Sequence, residues 1–249
     1  MLEQELAQGD ETMRPTARTY SKLIDLYAKN NMAEMAERTL ARMEEQYRKG
    51  NKAALPRTIH YTSVLDALAR VMKSNPASDL KADRILQSML NLYDTGSRHL
   101  RPDAVLFTTA LNCHAKSKQK DSADRSLALL ELARKYNVEL DIVAYNVVLK
   151  TLSISGEEYY DQAREILQGI EESPDLCADS YTYNALVSGM DPEKAESLIQ
   201  VRYAFPYKCI IRIINNFEPL NPSIFSTGSG NTSAAMRPNH PIHTHIVLS

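Results

Sequence analysis

Apolar positions recur along the chain with the spacing of an amphipathic helix. Near the start, one helical face carries Tyr20, Leu23, Ile24 and Tyr27. The pair Asn30-Asn31 then interrupts the pattern. A second amphipathic stretch follows, and its predicted inward positions are Met32, Met35, Ala36, Leu40 and Met43. The pattern predicts two helices joined by a short turn, that is, a helical hairpin.

This hairpin pattern occurs five times. An aromatic residue marks each first helix and stands at Tyr20, Tyr61, Phe107, Tyr145 and Tyr183, with successive spacings of 41, 46, 38 and 38 residues. The breaks after the first four of these helices fall at Asn30-Asn31, Ser74-Asn75-Pro76, 118–120 and Ser155-Gly156. A small residue early in the second helix allows the paired helices to approach closely, and it is found at Ala36, Ala82, Ala123 and Ala163.

A single hairpin cannot bury its apolar face, whereas stacked hairpins share a continuous core. The sequence therefore predicts an all-α fold, an α-solenoid superhelix of stacked helical hairpins. The units are expected at residues 14–57, 58–103, 104–141, 142–179 and, incomplete, 180–201. The first two units are longer than the others, and we expect their extra length in inter-repeat loops, at Tyr47 to Ala54 and Thr95 to His99.

Two segments fall outside this pattern. Residues 1–13 are expected to be the end of a preceding repeat and its loop. Residues 202–249 are rich in Ser, Thr, Asn and Pro, and we expect an irregular, disordered tail there. In the fifth unit, Ala195 follows the aromatic residue about one helical turn too soon. Because residues 1–13 are expected to end a preceding repeat, we expect a fragment of a longer repeat array.

Composition limits the chemistry that the chain is expected to perform. Lys and Arg number 29 against 31 Asp and Glu, so the net charge of −2 does not by itself attract a polyanion. No apolar run reaches the roughly 18 residues of a membrane span, and we predict no membrane partner. The sequence contains no nucleophile–base pair, phosphate-binding loop or metal motif. We therefore predict no enzyme activity, no cofactor and no metal site.

The three cysteines, Cys113, Cys177 and Cys209, are odd in number and widely spaced. This spacing predicts neither a disulfide framework nor a metal site. Cys113 and His114 are adjacent in a predicted helix, where neighbouring side chains point apart. We therefore expect Cys113 in the core and His114 on the surface.

The runs that open the units resemble those of the pentatricopeptide repeat family. In the best matches, residues 141–149 and 179–187, an Asp is followed four residues later by Tyr-Asn, and Arg101-Pro102-Asp103 is similar to the family's Pro-Asp opening. The resemblance covers residues 14 to about 200. Tetratricopeptide repeats carry a Trp-containing signature that this chain lacks, since it has no Trp.

The resemblance implies single-stranded RNA as a partner, with one base read per repeat. In this family the main reader directly follows the aromatic residue, which gives Ser21, Thr62, Thr108, Asn146 and Asn184. It works with the last residue before the next repeat, here Arg57, Asp103, Asp141 and Asp179 for the first four units. In the family's code Thr with Asp favours G and Asn with Asp favours U. The second to fourth units are therefore expected to prefer 5′-GGU-3′, whereas Ser21 with Arg57 cannot be assigned.

The resemblance implies two further sets of contacts. Side chains expected to sandwich bases stand three residues before the readers, at Ile59, Val105, Val143 and Tyr181, with Arg18 departing from the pattern. Side chains expected to contact phosphate stand at the ends of the first helices, at Lys29, Arg70 and Lys116. From the residues alone, the Val and Ile positions are equally consistent with a helical core. The cations are equally consistent with stabilisation of helix C-termini.

The implied function is sequence-specific RNA binding in organellar RNA processing, stability or translation, in a mitochondrion or plastid. Other RNA-processing proteins are expected as further partners. The alternative is an α-solenoid scaffold that binds a protein instead of RNA. The near-neutral charge favours this alternative, and the Thr and Asn readers with Asp partners favour RNA.

Overall fold

The computed structural model describes residues 14–75, 78–189 and 191, and this part of the chain is built from helices without strands. The helices are α1 (Ala17–Lys29), α2 (Ala33–Arg48), α3 (Thr58–Val71), α4 (Ser78–Asp94), α5 (Ala104–Ser117), α6 (Ser122–Lys135), α7 (Ile142–Ser155), α8 (Tyr160–Glu172) and α9 (Ser180–Val187). Single 3₁₀ turns lie at Lys52–Ala54, Arg98–Leu100 and Glu157–Tyr159. The predicted all-α class is confirmed.

The helices pack in successive pairs. Each of α1, α3, α5 and α7 packs against the helix that follows it, which gives four hairpins. The odd-numbered helices also pack on one another in chain order from α1 to α9, and α2, α4 and α6 each pack against the first helix of the next unit. The odd-numbered helices therefore form a continuous layer, which we call the first-helix layer. This arrangement confirms the predicted stack of helical hairpins.

Turns within the hairpins fall at the predicted breaks. Asn31 and Lys118 adopt left-handed backbone with φ of 57° and 52°, and Gly156 has φ of 146°. A left-handed residue ends a helix because it cannot continue the right-handed backbone. Asn and Gly tolerate this conformation at low cost, which explains two of these three positions.

One core cluster of buried residues runs from Ile24 to Leu186. The four predicted small residues, Ala36, Ala82, Ala123 and Ala163, are all buried. Two predicted inward residues are instead exposed: Leu23 at 36% and Met32 at 47%. Met32 is exposed because α2 begins only at the next residue. Tyr47 was expected in a loop but lies within α2, since that helix continues to Arg48.

The cysteine predictions fail in two places. His114 is buried like Cys113, because α5 packs against α3, α4, α6 and α7 and so has several buried faces. Cys177 is disulfide-bonded, which its spacing did not indicate, since bond formation depends on two thiols meeting in space. Cys209 lies outside the described residues.

Several predictions fall on residues that the structure does not describe. They concern residues 1–13, the second helix of the fifth unit with Ala195, and residues 202–249. Within the described part, no group of three His, Cys, Asp or Glu side chains could hold a metal ion. None of the helices seen there combines the length and apolar character needed to cross a bilayer.

A buried polar network joins the second and third units. His114 on α5 contacts Asp79 through Nδ1 at 3.0 Å and Asp83 through Nε2 at 3.3 Å, both carboxylates lying on α4. Arg125 on α6 donates an N–H from one guanidinium nitrogen to Asp79 and an N–H from the other to Asp83. The side chains of His114 and Asp79 are each only 2% exposed. Two carboxylates therefore hold two cationic groups together between the hairpins.

The network shifts the pKa of His114, Asp83 and Arg125 toward the charged state of each group. Burial alone would lower the pKa of His114, but hydrogen bonds to Asp79 and Asp83 outweigh it and raise the pKa. Burial would raise the pKa of Asp83, but His114 and Arg125 outweigh it and lower the pKa. His114 therefore stabilises the fold fully below its unfolded pKa of about 6.5, and this contribution is lost as pH rises through the raised folded value.

Replacing His114 by glutamine is expected to reduce stability most at mildly acidic pH. The difference in the free energy of unfolding from the wild type should be about 2 kcal/mol near pH 6. It should shrink as pH rises above the unfolded pKa of about 6.5 and through the raised folded pKa of His114. Urea unfolding across this range measures the difference. The groups that face His114 are Asp79, Asp83 and Arg125, with Asp121 beyond Arg125. A difference that stays constant with pH would show that folding does not raise the pKa of His114.

Candidate nucleic-acid interface

The second residue of each first helix from α3 onward is apolar and exposed. The exposed fractions are 64% for Ile59, 64% for Val105, 54% for Val143 and 75% for Tyr181. These side chains are therefore not core residues, and the core interpretation left open by the sequence is wrong. Because the first helices pack on one another in order, the four positions recur from unit to unit on the first-helix layer. In α1 the equivalent residue is Arg18, which is also exposed.

The predicted base-reading residues lie one helical turn beyond these apolar side chains, on the same helix face. Thr62, Thr108 and Asn146 are half-buried and Asn184 is exposed. The Thr62 hydroxyl donates to the Thr58 carbonyl at 3.1 Å, and the Thr108 hydroxyl donates to the Ala104 carbonyl at 2.8 Å. Each hydroxyl oxygen keeps lone pairs that can accept a hydrogen bond from a base.

The predicted partner residues Asp103, Asp141 and Asp179 cap the N-termini of α5, α7 and α9. Their Oδ1 atoms accept the backbone N–H of Leu106, Ala144 and Thr182 at 2.8, 2.9 and 2.9 Å. Such N-caps satisfy an otherwise unpaired amide at the start of a helix. All three aspartates are exposed. A carboxylate is therefore fixed at the start of three consecutive first helices.

One predicted reader contacts its predicted partner directly. The Asn146 amide nitrogen donates to Asp179 Oδ1 at 3.5 Å, across the boundary between the fourth and fifth units. The Asn146 amide oxygen has no hydrogen-bond partner among the residues described. Burial would raise the pKa of Asp179, but hydrogen bonds from Thr182 and Asn146 outweigh it and lower the pKa. The carboxylate is thus ionised and orients the amide.

Ser21 meets a different partner from the one predicted. His60 Nδ1 accepts the backbone N–H of Arg57 at 2.9 Å, so its Nε2–H faces the Ser21 hydroxyl at 2.8 Å. Ser21 in turn donates to the Ala17 carbonyl at 3.0 Å. Burial lowers the pKa of His60, which keeps the ring neutral. The structure therefore places Ser21 against His60 and leaves Arg57 exposed.

A signal for this contact was present in the sequence. His60 is the third residue of α3, and the third residues of α5, α7 and α9 are Leu106, Ala144 and Thr182, all buried. A histidine at a position that is otherwise small or apolar requires a polar partner inside the fold. Only the packing of α1 on α3 shows that this partner is Ser21.

The predicted phosphate-contacting cations lie at the C-terminal ends of the first helices. Lys29 is the last residue of α1 and is exposed, and Lys116 near the end of α5 is half-buried. Arg70 near the end of α3 is exposed but forms an ion pair with Asp66 at 2.9 Å. The structure thus brings all three to one end of the first-helix layer, where they also complement the helix dipoles.

Comparison with known proteins identifies the repeat. The family model described as the PPR repeat matches residues 18–47. The first hairpin of this chain is therefore similar to a pentatricopeptide repeat. The matched segment covers α1 and most of α2, which are the two helices of the first hairpin. No curated protein sequence matches the chain.

The solved structures of the pentatricopeptide repeat protein PPR10 share the fold. The complex of PPR10 with an 18-nt psaJ RNA element superposes with a TM-score of 0.55 at 20% identity, covering 82% of this chain and 26% of PPR10. PPR10 from maize gives a TM-score of 0.51 at 22% identity, covering 71% of this chain and 22% of that one. The PPR domain of Arabidopsis thaliana protein-only RNase P 1, solved with tRNA, gives a TM-score of 0.49 at 17% identity, covering 80% of this chain and 90% of that one. The chain spans about a quarter of the length of PPR10.

Proposed function

We propose that this pentatricopeptide repeat chain binds single-stranded RNA along its first-helix layer and acts in organellar RNA processing, stability or translation. The observation that carries the proposal is the exposure of Ile59, Val105, Val143 and Tyr181 at one repeating helical position. Large apolar side chains repeated on an exposed face mark a binding surface. The planar face of an unpaired base is a ligand that such side chains fit.

The polar residues beside these apolar side chains supply hydrogen bonds for base recognition. One turn along each helix stands a Thr or Asn, and an Asp caps the N-terminus of the next first helix. A Thr hydroxyl or Asn amide can donate to and accept from the Watson–Crick edge of a base. In the fourth unit, Asn146 already contacts Asp179. The second to fourth units then read 5′-GGU-3′.

The magnitude of the interaction limits the affinity of this chain alone. Stacking on an aromatic side chain contributes about 1–3 kcal/mol per base, and aliphatic side chains contribute less. Three or four units therefore give roughly 6 kcal/mol before association costs, which corresponds to micromolar binding or weaker. Additional repeats or RNA-processing partner proteins would supply tighter binding in a mitochondrion or plastid. PPR10, which shares the fold, is bound to an RNA element in its structure.

Base selection is tested by replacing Thr108 with asparagine. The wild type is expected to prefer single-stranded RNA with GGU over the same RNA with CCA. In the variant the third unit pairs Asn with Asp141, so preference should change from GGU to GUU by about fivefold, which is the effect of one hydrogen bond. Fluorescence anisotropy with labelled RNAs at two salt concentrations measures both affinities.

A matched control is Thr109, whose hydroxyl donates to the Val105 carbonyl at 2.7 Å on the same helix. Replacing Thr109 with asparagine should leave base preference unchanged. If Thr108→Asn and Thr109→Asn change preference equally, the assignment of readers is wrong. If the wild type binds GGU and CCA equally, sequence-specific recognition is wrong.

The second candidate function is a protein-binding scaffold, and the environment of Ser21 favours it. Its hydroxyl is engaged by His60 and by the backbone, so the first unit does not present a free reader to RNA. An absence of RNA binding at low salt would support this alternative. It would contradict the RNA proposal.

A further inference from the structure

A row of tyrosines and cations lies at the inter-repeat loops, and none of its residues belongs to the predicted RNA contacts. We call it the edge ladder and define it by Tyr47, Lys52, Tyr93, Arg98, Tyr136 and Lys135. The Lys52 amine stands 5.2 Å from the Tyr47 ring, the Arg98 guanidinium 5.2 Å from the Tyr93 ring, and the Lys135 amine 5.5 Å from the Tyr136 ring. Each of the first three units therefore holds one cation over one tyrosine.

Ring contacts join the three units into one row. The Tyr93 and Tyr136 rings meet edge to face with centroids 6.1 Å apart. Tyr47 meets the ring of His99 at 6.0 Å, and His99 directly follows Arg98 in the chain. The edge ladder is thus continuous from Lys52 to Lys135.

The two longer inter-repeat loops build the ladder in the same way. Starting from Tyr47 or Tyr93, a glycine follows after three residues, the cation after five and a proline after nine. Gly50 and Gly96 have φ of 99° and 109°, which only glycine adopts without strain. These glycines end the second helices and turn each loop back, so that the cation returns over the ring of its tyrosine.

Buried anchors fix both loops. Ala54 and Leu100 end the 3₁₀ turns that carry Lys52 and Arg98, and their exposed fractions are 0% and 2%. The extra length of the first two units therefore forms an ordered cation support. Because cation and ring are already in contact, little side-chain entropy remains to be lost when an anion binds.

The three cations carry charge that the protein does not neutralise. Lys52, Arg98 and Lys135 are exposed, and none lies within ion-pair distance of a carboxylate in the described part of the chain. Three other exposed cations are paired instead: Lys49 with Glu45, Arg70 with Asp66 and Arg134 with Glu131. The carboxylate that touches the row is Asp94, which accepts the Tyr136 hydroxyl at 2.7 Å. A local positive strip therefore stands out against the acidic total.

The geometry points to the edge ladder as a second RNA contact, which binds the sugar–phosphate backbone without regard to base sequence. The inference rests on the proposed function. Lys52 and Arg98 precede Arg57 and Asp103 by five residues, so the row lies at the N-terminal end of the first helices, beside an RNA bound there. The predicted phosphate contacts lie at the other end, roughly 20 Å away along a helix of this length. We infer phosphate as the ligand because the exposed charged groups are cations. One face of each tyrosine ring is already covered by a cation and is not open for a base to stack on.

A triple variant tests the ladder: Lys52→Gln, Arg98→Gln and Lys135→Gln. Its affinity for adenosine-flanked RNA is expected to fall about tenfold, equally for GGU and CCA centres, since three surface charge contacts are lost. The log–log salt slope should fall in magnitude by about 2, because three phosphates are no longer neutralised. The matched control is Arg38→Gln, Arg84→Gln and Arg164→Gln, three exposed cations on α2, α4 and α8 with the same loss of charge. The control should bind RNA with nearly wild-type affinity.

The outcomes separate this inference from the proposed function. If the wild type prefers GGU and the ladder variant binds both RNAs with wild-type affinity, the ladder is not an RNA contact, even if its thermal stability falls. If the wild type binds GGU and CCA equally but the ladder variant loses RNA affinity, the ladder inference is supported and the proposed base reading is wrong. If both triple variants lose affinity equally, only net charge matters and the ladder inference is overturned. If the wild type binds neither RNA, both proposals are overturned.

Discussion

Replacing Asp79 by alanine is expected to lower the free energy of unfolding by about 3–5 kcal/mol, since breaking a buried ion pair leaves an uncompensated charge. The Asp79 side chain is 2% exposed and accepts from both His114 and Arg125. Without it, the two cationic groups share only Asp83, which is 43% exposed. Urea unfolding followed by circular dichroism at about pH 6 measures the loss.

The matched control is Asp83→Ala, which removes a carboxylate from the same helix and the same network. Solvent already screens this side chain, so the expected loss is only about 1 kcal/mol. Asp79→Asn keeps the shape of the side chain and separates charge from packing. Equal losses for Asp79→Ala and Asp83→Ala would show that burial of Asp79 does not strengthen the network.

Replacing Val105 by aspartate is expected to weaken RNA binding about thirtyfold while leaving stability nearly unchanged. The variant removes an apolar contact with a base and places an anion beside the phosphate backbone, each at about 1 kcal/mol. Val105 is 64% exposed and is the second residue of α5, where the helix dipole stabilises a negative charge. Anisotropy with GGU-containing RNA and a thermal melt measure the two quantities.

Leu80 provides the control for this experiment. It is 60% exposed and third in α4, so Leu80→Asp makes the same chemical change near the start of a second helix. Its RNA affinity should equal that of the wild type. If Val105→Asp binds RNA as well as Leu80→Asp does, the first-helix layer is not the RNA surface.

The hairpins could be predicted because their determinants are local. Helical spacing around Tyr20, the breaks at Asn31 and Gly156, and the small Ala36 and Ala163 act within one unit. Each unit repeats them, so the period itself indicated stacking. The exposed fractions of Val105 and Val143 could not be predicted. An apolar residue at helical spacing fits a core or a groove, and only the position of the neighbouring helix distinguishes them.

The sequence by itself determined the all-α class, the order of hairpins, the turns between paired helices and the candidate positions for RNA contact. Tertiary structure alone decided that His114 joins Asp79, Asp83 and Arg125, that Ser21 meets His60, and that tyrosines and cations of three units form one row. The physical reason is range. Helix periodicity depends on residues three or four positions apart in the sequence. These contacts join residues about forty positions apart, which meet only when hairpins stack.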